Sequence, residues 1–355
     1  MTDSTIRWGI LGTGAIASAF ARGLNHVPDA ELVAIGSRTQ AGADAFAARH
    51  GVTRAHGSHE GLLADPAVDV VYVATPNEVH LDNALAVIAA GKAVLCEKPF
   101  TLDRADGARL VQAAVDAGVF CMEGMWMRCS PVVREVLRLT EGGRLGELRM
   151  LSAQLGFPNE VDPSSRFFSQ PGGGALLDLG VYPVSLAHAL FGAPDRVTSS
   201  AVIGTTGVDD QFVATLDYSD GRQATLMASI RSQLSNSAMV AGTQGVIEIA
   251  APLVFPDRFR LTEVTPRRGT EGSRHPRLAQ LRDHPVGRLL ADVRSVALHR
   301  PTTLRVPGNG YTTEAIEVGR CLRLGLTESP VMPLAATLEV LDTMDAIRAA
   351  WSENV

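Results

Sequence analysis

The sequence predicts an α/β protein in two parts, with a parallel sheet in the first and an antiparallel sheet in the second. Three observations carry this. Over the first 123 residues short apolar runs alternate with amphipathic helical segments, the pattern of βαβ units. Beyond residue 124 the dominant periodicity becomes two, the mark of strands with one buried face. The chain has 355 residues, more than one core usually serves, so two domains, 1–123 and 124–355, are expected.

Each element has a local reason. Arg7–Leu11 is an apolar strand, Gly12–Gly14 a turn and Ala15–His26 a helix. Glu31–Gly36 and Val68–Thr75 are further strands, apolar enough for burial on both faces. Val79–Ala90 reads as a helix because Leu81, Leu85 and Ile88 recur at four and three. Ala93–Cys96 is a strand, Asp103–Ala117 a helix with Leu110, Val111 and Ala114 inward, and Val119–Glu123 a strand. Pro131–Thr140 is a helix.

In the second part Phe212, Ala214, Leu216 and Tyr218 point one way and Val213, Thr215 and Asp217 the other. Ser219-Asp220-Gly221 turns the chain, and Ala224, Leu226, Ala228 and Ile230 continue beyond it. One sheet face then rests on helices. The other stays free and offers a surface for pairing with a second copy. Val340, Met344, Ile347 and Trp351 repeat at four, three and four, so the chain ends in a helix that can pack back on the first domain. Pro256–Pro307, rich in arginine and proline, reads as an insertion, partly mobile, either a solvated loop or a basic contact surface.

Composition excludes several classes. The formal net charge of −6 gives no general attraction to nucleic acid or anionic membrane. No run of about 18 apolar residues suggests a membrane span. The N-terminus has no apolar signal stretch. Four cysteines, Cys96, Cys121, Cys129 and Cys321, show no paired spacing, so neither a disulfide framework nor a zinc site is expected and a cytoplasmic setting fits. No metal-ligand cluster is apparent.

Gly12-Thr13-Gly14-Ala15-Ile16-Ala17 has the form G-x-G-x-x-A between a strand and a helix. There Gly12 permits the tight turn, Gly14 lets a pyrophosphate approach the backbone and Ala17 lets helix and sheet pack closely. The helix start adds N–H donors and a positive dipole end. A dinucleotide site of Rossmann type follows. Such a site for NAD usually carries Asp or Glu about 20 residues on, for the ribose 2′-OH. Here Ile35-Gly36-Ser37-Arg38-Thr39 has no carboxylate. Ser37 and Arg38 can instead bind a 2′-phosphate, so NADP is expected over NAD.

Two segments are placed for chemistry. Cys96-Glu97-Lys98-Pro99 ends a parallel strand, and ligands of open α/β sheets bind at that edge. Lys98 and Lys92 are the two lysines among 32 basic residues. The run Gly172 to Pro183 places Asp178 and Tyr182 four apart on a new helix. By themselves these two read more simply as a helix cap and a core tyrosine than as a chemical pair.

Gly9-Ile10-Leu11-Gly12-Thr13-Gly14, Ala74-Thr75-Pro76-Asn77-Glu78-Val79-His80, Glu97-Lys98-Pro99 and Gly174 through Tyr182 occur in order. Together they resemble the glucose-fructose oxidoreductase/inositol dehydrogenase/MocA family. Met122 to Trp126, Gly207 to Asp210, Gln233 to Asn236 and Glu328 to Val331 resemble its branch of dimeric dihydrodiol dehydrogenases and NADP-dependent D-xylose dehydrogenases. Gly310-Tyr311 is in keeping with that branch, whereas Pro256–Pro307 and, in part, Met127-Arg128-Cys129 depart from it.

The resemblance implies a Rossmann domain, then an α/β domain with a large, open, mostly antiparallel sheet. It implies that Lys98, Asp178 and Tyr182 line a substrate pocket. The reaction it implies is hydride transfer between nicotinamide and a carbinol carbon of a sugar, polyol or trans-dihydrodiol. Tyr182 is then the acid/base, its pKa lowered by Lys98, or Lys98 takes the proton and Tyr182 orients. Asp178 binds a second hydroxyl or positions Lys98. Trp126, Arg128 and Phe157 are candidate pocket walls. Thr75, Pro76, Asn77, His80 and Glu97 join Gly12 to Ile16, Ser37 and Arg38 as cofactor contacts, with Asn77 and His80 near the nicotinamide ribose or capping the next helix. A homodimer through the open sheet is expected. A keto-sugar or anhydrosugar reductase and a non-catalytic NADP-binding regulator are the alternatives.

Overall fold

The computed structural model describes residues 5–264 and 301–352. The first part runs β1 (Ile6–Leu11), α1 (Ala15–Leu24), β2 (Ala30–Gly36), α2 (Gln40–His50), β3 (Arg54–His56), α3 (His59–Leu63), β4 (Val70–Val73), α4 (His80–Ala89), β5 (Ala93–Glu97), α5 (Arg104–Ala117) and β6 (Cys121–Gly124). Its six strands are all parallel, in the order β3-β2-β1-β4-β5-β6. Chain direction across this sheet reverses beside β1, which opens a crevice at its carboxyl edge.

The helices carry the expected punctuation. Thr39 caps α2 by accepting from Gly42 N, and Asp103 caps α5 by accepting from Asp106 N. Such caps satisfy N–H groups left open at a helix start. The structure adds α2, β3 and α3, which the periodicity does not announce. In α2 alanines fall on every side, so the buried face of Ala43, Phe46 and Ala47 does not stand out, and β3 has three residues. The core beneath is aromatic. Trp8, Phe20 and Tyr72 are fully buried, with Phe20 stacked on Tyr72 at 3.9 Å between centroids.

The second part contains α6 (Pro131–Glu141), β7 (Leu148–Gly156), α7 (Val181–Phe191), β8 (Arg196–Ile203), β9 (Asp209–Asp217), β10 (Gln223–Ser229), β11 (Ala238–Gly242), β12 (Gly245–Ile249), β13 (Arg258–Glu263), β14 (Thr302–Thr303), α8 (Gly310–Arg323) and α9 (Leu334–Ser352). The strands form one sheet, β14-β13-β12-β11-β7-β10-β9-β8, antiparallel except where β10 pairs with β7. The alternation predicted around the turn at Ser219–Gly221 is present: Phe212, Ala214, Leu216, Ala224, Leu226 and Ala228 are buried and Val213 is exposed. The other face of the sheet carries exposed Met150, Val213 and Met239.

The reading of Pro256–Pro307 as an insertion is corrected at its start. Arg258–Glu263 is a sheet strand, because Phe259 is buried and pairs with Ile249. Residues 265–300 of that stretch lie outside the described residues.

The last two helices return to the first sheet. On α8, Thr312 Oγ1 donates to Gly23 O at 2.9 Å, and Asn309 Nδ2, at its cap, to Ala19 O at 2.9 Å. On α9, Asp345 accepts from Arg104 N at 2.9 Å and Thr343 bonds His188 of α7 at 2.8 Å. One helix thereby fixes both layers. Thr337 of α9 also donates to Glu123 Oε2 of β6 at 3.1 Å. Burial pushes the Glu123 carboxyl up to about 7.

This last value makes a prediction. The folded-state pKa lies above the ordinary 4.5, so the unfolded chain loses its proton first and stability falls as pH rises from about 4.5 to about 7. Glu123→Gln should remove that contribution. Urea midpoints measured across this window should fall more for the wild type than for the variant. Parallel curves would show that Glu123 keeps no proton on folding.

Candidate active site

The carboxyl ends of β1, β2, β4 and β5 converge on one cleft of about 1070 Å³, closed on its far side by residues of the second part. The cofactor half is built by backbone geometry. Gly12 has φ +107°, and a Cβ there would come within 2.6 Å of Ala74 O, so only glycine fits. At Gly14 a Cβ would meet nothing within 4 Å, so its backbone faces open space in the cleft. Gly14 also caps α1 without a side-chain hydrogen bond, which leaves first-turn N–H groups for an anion. Thr13, Ala15 and Ile16 line the same wall. This cradle fits a dinucleotide pyrophosphate.

Beyond β2 the lining is Ser37, Arg38, Thr39 and Gly42, at the start of α2. Arg38 is exposed and Ser37 buried. The carboxylates that line the cleft, Glu78, Glu97 and Asp178, follow β4 and β5 or come from the second part. Thr75, Pro76, Asn77 and His80 line the floor. The His80 side chain does not cap α4: its ring nitrogens lie 2.8 Å from Pro99 O and 2.9 Å from Thr75 O, so the ring bridges the loop after β4 and the loop after β5. Asn77 Nδ2 donates to Gly172 O at 2.9 Å and anchors the glycine run over the cleft. Glu97 is held twice. Tyr72 Oη donates to one carboxyl oxygen and Lys98 N to the other, and burial pushes its pKa up.

The chemical half joins β5 to the glycine-rich segment. Gly174, at φ +108°, lies where any Cβ would strike Asp209 Oδ1. The same carboxyl accepts from Leu176 N at 2.7 Å. Leu176–Gly180 then forms a wide, π-type turn that runs into α7. Such turns often mark functional sites. Asp178 and Tyr182, both nearly buried, face the cleft from it.

Lys98 Nζ donates to Asp178 O at 2.8 Å and Oδ1 at 3.3 Å, and lies 5.0 Å from the Tyr182 ring centroid. Burial would lower the Lys98 pKa, but Asp178, Tyr182 and Glu97 outweigh it and raise the value. Lys98 is therefore a fixed ammonium. Lys98 does lower the Tyr182 pKa, as expected, but it is not the larger influence. Burial raises it to about 12 and the ammonium offsets only part of that. Trp126 Nε1 also donates to Tyr182 Oη, at 3.0 Å.

Trp126 and Phe157 line the cleft; Arg128 does not. The last is a correction with a simple cause. Trp126–Cys129 is a tight helical turn, in which residues two apart point about 120° from each other. Arg128 is carried inward, where NH1 donates to Ser185 O at 3.0 Å. Sequence reasoning missed Arg166, whose NH1 lies 3.3 Å from Asp178 Oδ1 while the side chain stays half exposed. It also missed Asn159, Phe167 and Tyr311 in the lining. Arg166 sits in a stretch without periodicity, so nothing local marks it.

A phosphate cradle that opens onto an ammonium, a carboxylate and a phenol defines a dinucleotide-dependent oxidoreductase. Similarity settles its family. The chain belongs to the GFO/IDH/MocA oxidoreductases: the NAD-binding Rossmann model of that family matches residues 6–125, and its C-terminal domain model residues 133–248. Among relatives, trans-1,2-dihydrobenzene-1,2-diol dehydrogenase of Mus musculus is 36% identical over 97% of this chain and 96% of its own. The Homo sapiens enzyme of that name is 32% identical over 97% and 96%. Similar solved structures include a 3-ketoreductase of Actinomadura kijaniata in complex with NADP and TDP-benzene (25% identity, 98% of each chain, TM-score 0.79). Another is the aldose-aldose oxidoreductase of Caulobacter crescentus (23% identity, 99% of this chain and 98% of that one, TM-score 0.81), which speaks for the fold.

The cofactor half yields a test. Arg38→Ala should weaken NADP binding at least tenfold, the effect of losing a charge-assisted contact of about 1.5–3 kcal/mol, and should leave NAD binding nearly unchanged. Fluorescence titration with NADPH and NADH checks it. Equal losses would place the 2′-phosphate elsewhere.

Proposed function

We propose that this chain is an NADP-dependent oxidoreductase that moves a hydride between nicotinamide and a carbinol carbon of a sugar, polyol or trans-dihydrodiol. The observation that carries the reading is the Lys98–Asp178–Tyr182 cluster at the end of the dinucleotide cradle. The substrate class is supported by the names of the dihydrodiol dehydrogenase relatives. NADP is supported by the absence of a carboxylate beyond β2 among the lining residues and by Ser37 and Arg38 there.

A bound nicotinamide supplies or takes up the hydride. The chain's own residues handle the proton and the oxygen. Tyr182 Oη is the acid that protonates a carbonyl oxygen in reduction and, as phenolate, the base that takes the hydroxyl proton in oxidation. Lys98 Nζ has three N–H bonds and commits two to Asp178, which leaves one for the substrate oxygen. Asp178 holds Lys98 in place. Arg166 shares the Asp178 carboxylate and keeps other donors at the cleft wall for a further substrate hydroxyl or carbonyl. With Tyr182 at about 12, both Tyr182 and Lys98 are protonated at neutral pH. A second reading, reduction of a keto-sugar, uses the same residues in reverse and is supported by the likeness to a 3-ketoreductase structure.

The exposed sheet face, with Met150, Val213 and Met239 among hydroxyl side chains such as Thr215 and Thr225, suits a homodimer. The four described cysteines are free and buried, which fits a reducing cytoplasm.

Absorbance at 340 nm tests the reading with NADP⁺ and NADPH against aldoses, polyols, trans-dihydrodiols and keto-sugars. Turnover is expected for at least one class. Lys98→Met and Tyr182→Phe should each reduce kcat by roughly 10²–10⁴, and Tyr182→Phe should still bind NADPH. Tight NADP binding in the wild type with no turnover, or full activity in either variant, would overturn it.

A further inference from the structure

We infer that Trp126 is the positioning residue for Tyr182: its indole N–H fixes the phenol oxygen and turns the phenol proton toward the substrate. This rests on the proposed role of Tyr182. Trp126 Nε1 donates to Tyr182 Oη at 3.0 Å. An indole N–H donates and never accepts. The Tyr182 proton therefore cannot point at Trp126. Lys98 Nζ lies over the ring and is bonded to Asp178, so it does not compete for that proton. The O–H is left to point into the cleft, where a substrate oxygen would be.

The indole is itself held. Tyr311 stacks on it at 4.5 Å between centroids and Phe255 leans against it at 5.6 Å. Gly310 makes room, because any Cβ there would collide with the Trp126 ring. A wall residue would need none of this control of its edge. The second consequence is electrostatic. A donor aimed at Oη favours the phenolate, which helps Tyr182 release its proton in oxidation. The other groups facing Tyr182 are Lys98 and Glu97 from the end of β5, Asp178 from the turn before α7 and Tyr311 from α8. Only Lys98 among them shares the direction of the Trp126 effect.

The test uses Trp126→Phe, which keeps a stacking ring and removes the N–H. With the substrate found above, kcat for oxidation should fall roughly tenfold or more with KM changed less than about threefold. The pH at which kcat rises should move up by about one unit. Adding Trp126→Phe to Tyr182→Phe should cost nothing further. A KM increase with an unmoved pH profile would reduce Trp126 to a wall and overturn the inference.

A second measurement needs no turnover. The chain has three tryptophans, Trp8, Trp126 and Trp351. In ¹H–¹⁵N spectra the Trp126 indole resonance, assigned as the one lost in Trp126→Phe, should shift in Tyr182→Phe while the other two stay. An unmoved Trp126 resonance would also overturn the inference. A wild type without turnover but with this shift would sink the catalytic role of Tyr182 and leave the hydrogen bond standing.

Discussion

A buried ammonium needs a counter-charge that cannot drift, and this need organises the site. Lys98 leaves the carboxyl end of β5 almost out of water, with a side chain 11% exposed. Desolvation alone would favour its neutral form. Asp178 reverses that by offering both its carbonyl and its carboxylate. The pair joins the end of β5 to the turn before α7, so the relative position of the two parts of the chain is part of the electrostatics. Asp178 is fixed in turn, because Asp209 takes the Leu176 N–H and Gly174 supplies the backbone shape that brings them together.

From the core of the first sheet a continuous aromatic seam reaches the same point. Phe20 stacks on Tyr72, both approach Tyr311, and Tyr311 stacks on Trp126. Tyr72 also donates to Glu97, the neighbour of Lys98. Close-packed rings move little and transmit displacement rather than absorbing it. The Trp126 indole is thereby packed, through Tyr311, onto the fully buried rings of the first sheet's core. Tyr311 of α8 completes the seam, and α8 and α9 together bind both parts of the chain.

The two halves of the cleft differ in how they are made. The cradle is backbone geometry set by residues near in sequence, where Gly12 and Gly14 act without side chains. The chemical half brings together side chains 80 residues apart, Lys98 and Asp178, with Arg166 joining from a loop. Arg166 lines the cleft from a loop outside the sheet, whereas Phe157 and Asn159 line it from the end of β7, where their N–H groups still bond Ser229 O and Ile230 O.

The sequence by itself determined the parallel first sheet, the dinucleotide turn and the family, because each is written in local patterns: apolar strands, glycines at fixed offsets, and four motifs in order. It brought Lys98, Asp178 and Tyr182 to one cleft only through resemblance. It missed α2 and β3, because alanines around α2 hide its buried face and β3 is only three residues long. It placed Arg128 at the cleft beside Trp126, and the turn from Trp126 to Cys129 carries that side chain inward. It took the beginning of Pro256–Pro307 for an insertion, where β13 extends the sheet by pairing with β12. It also set the Tyr182 pKa from one neighbour. Tertiary structure alone decides that value, because desolvation depends on everything packed around the phenol, and that packing is assembled from distant parts of the chain.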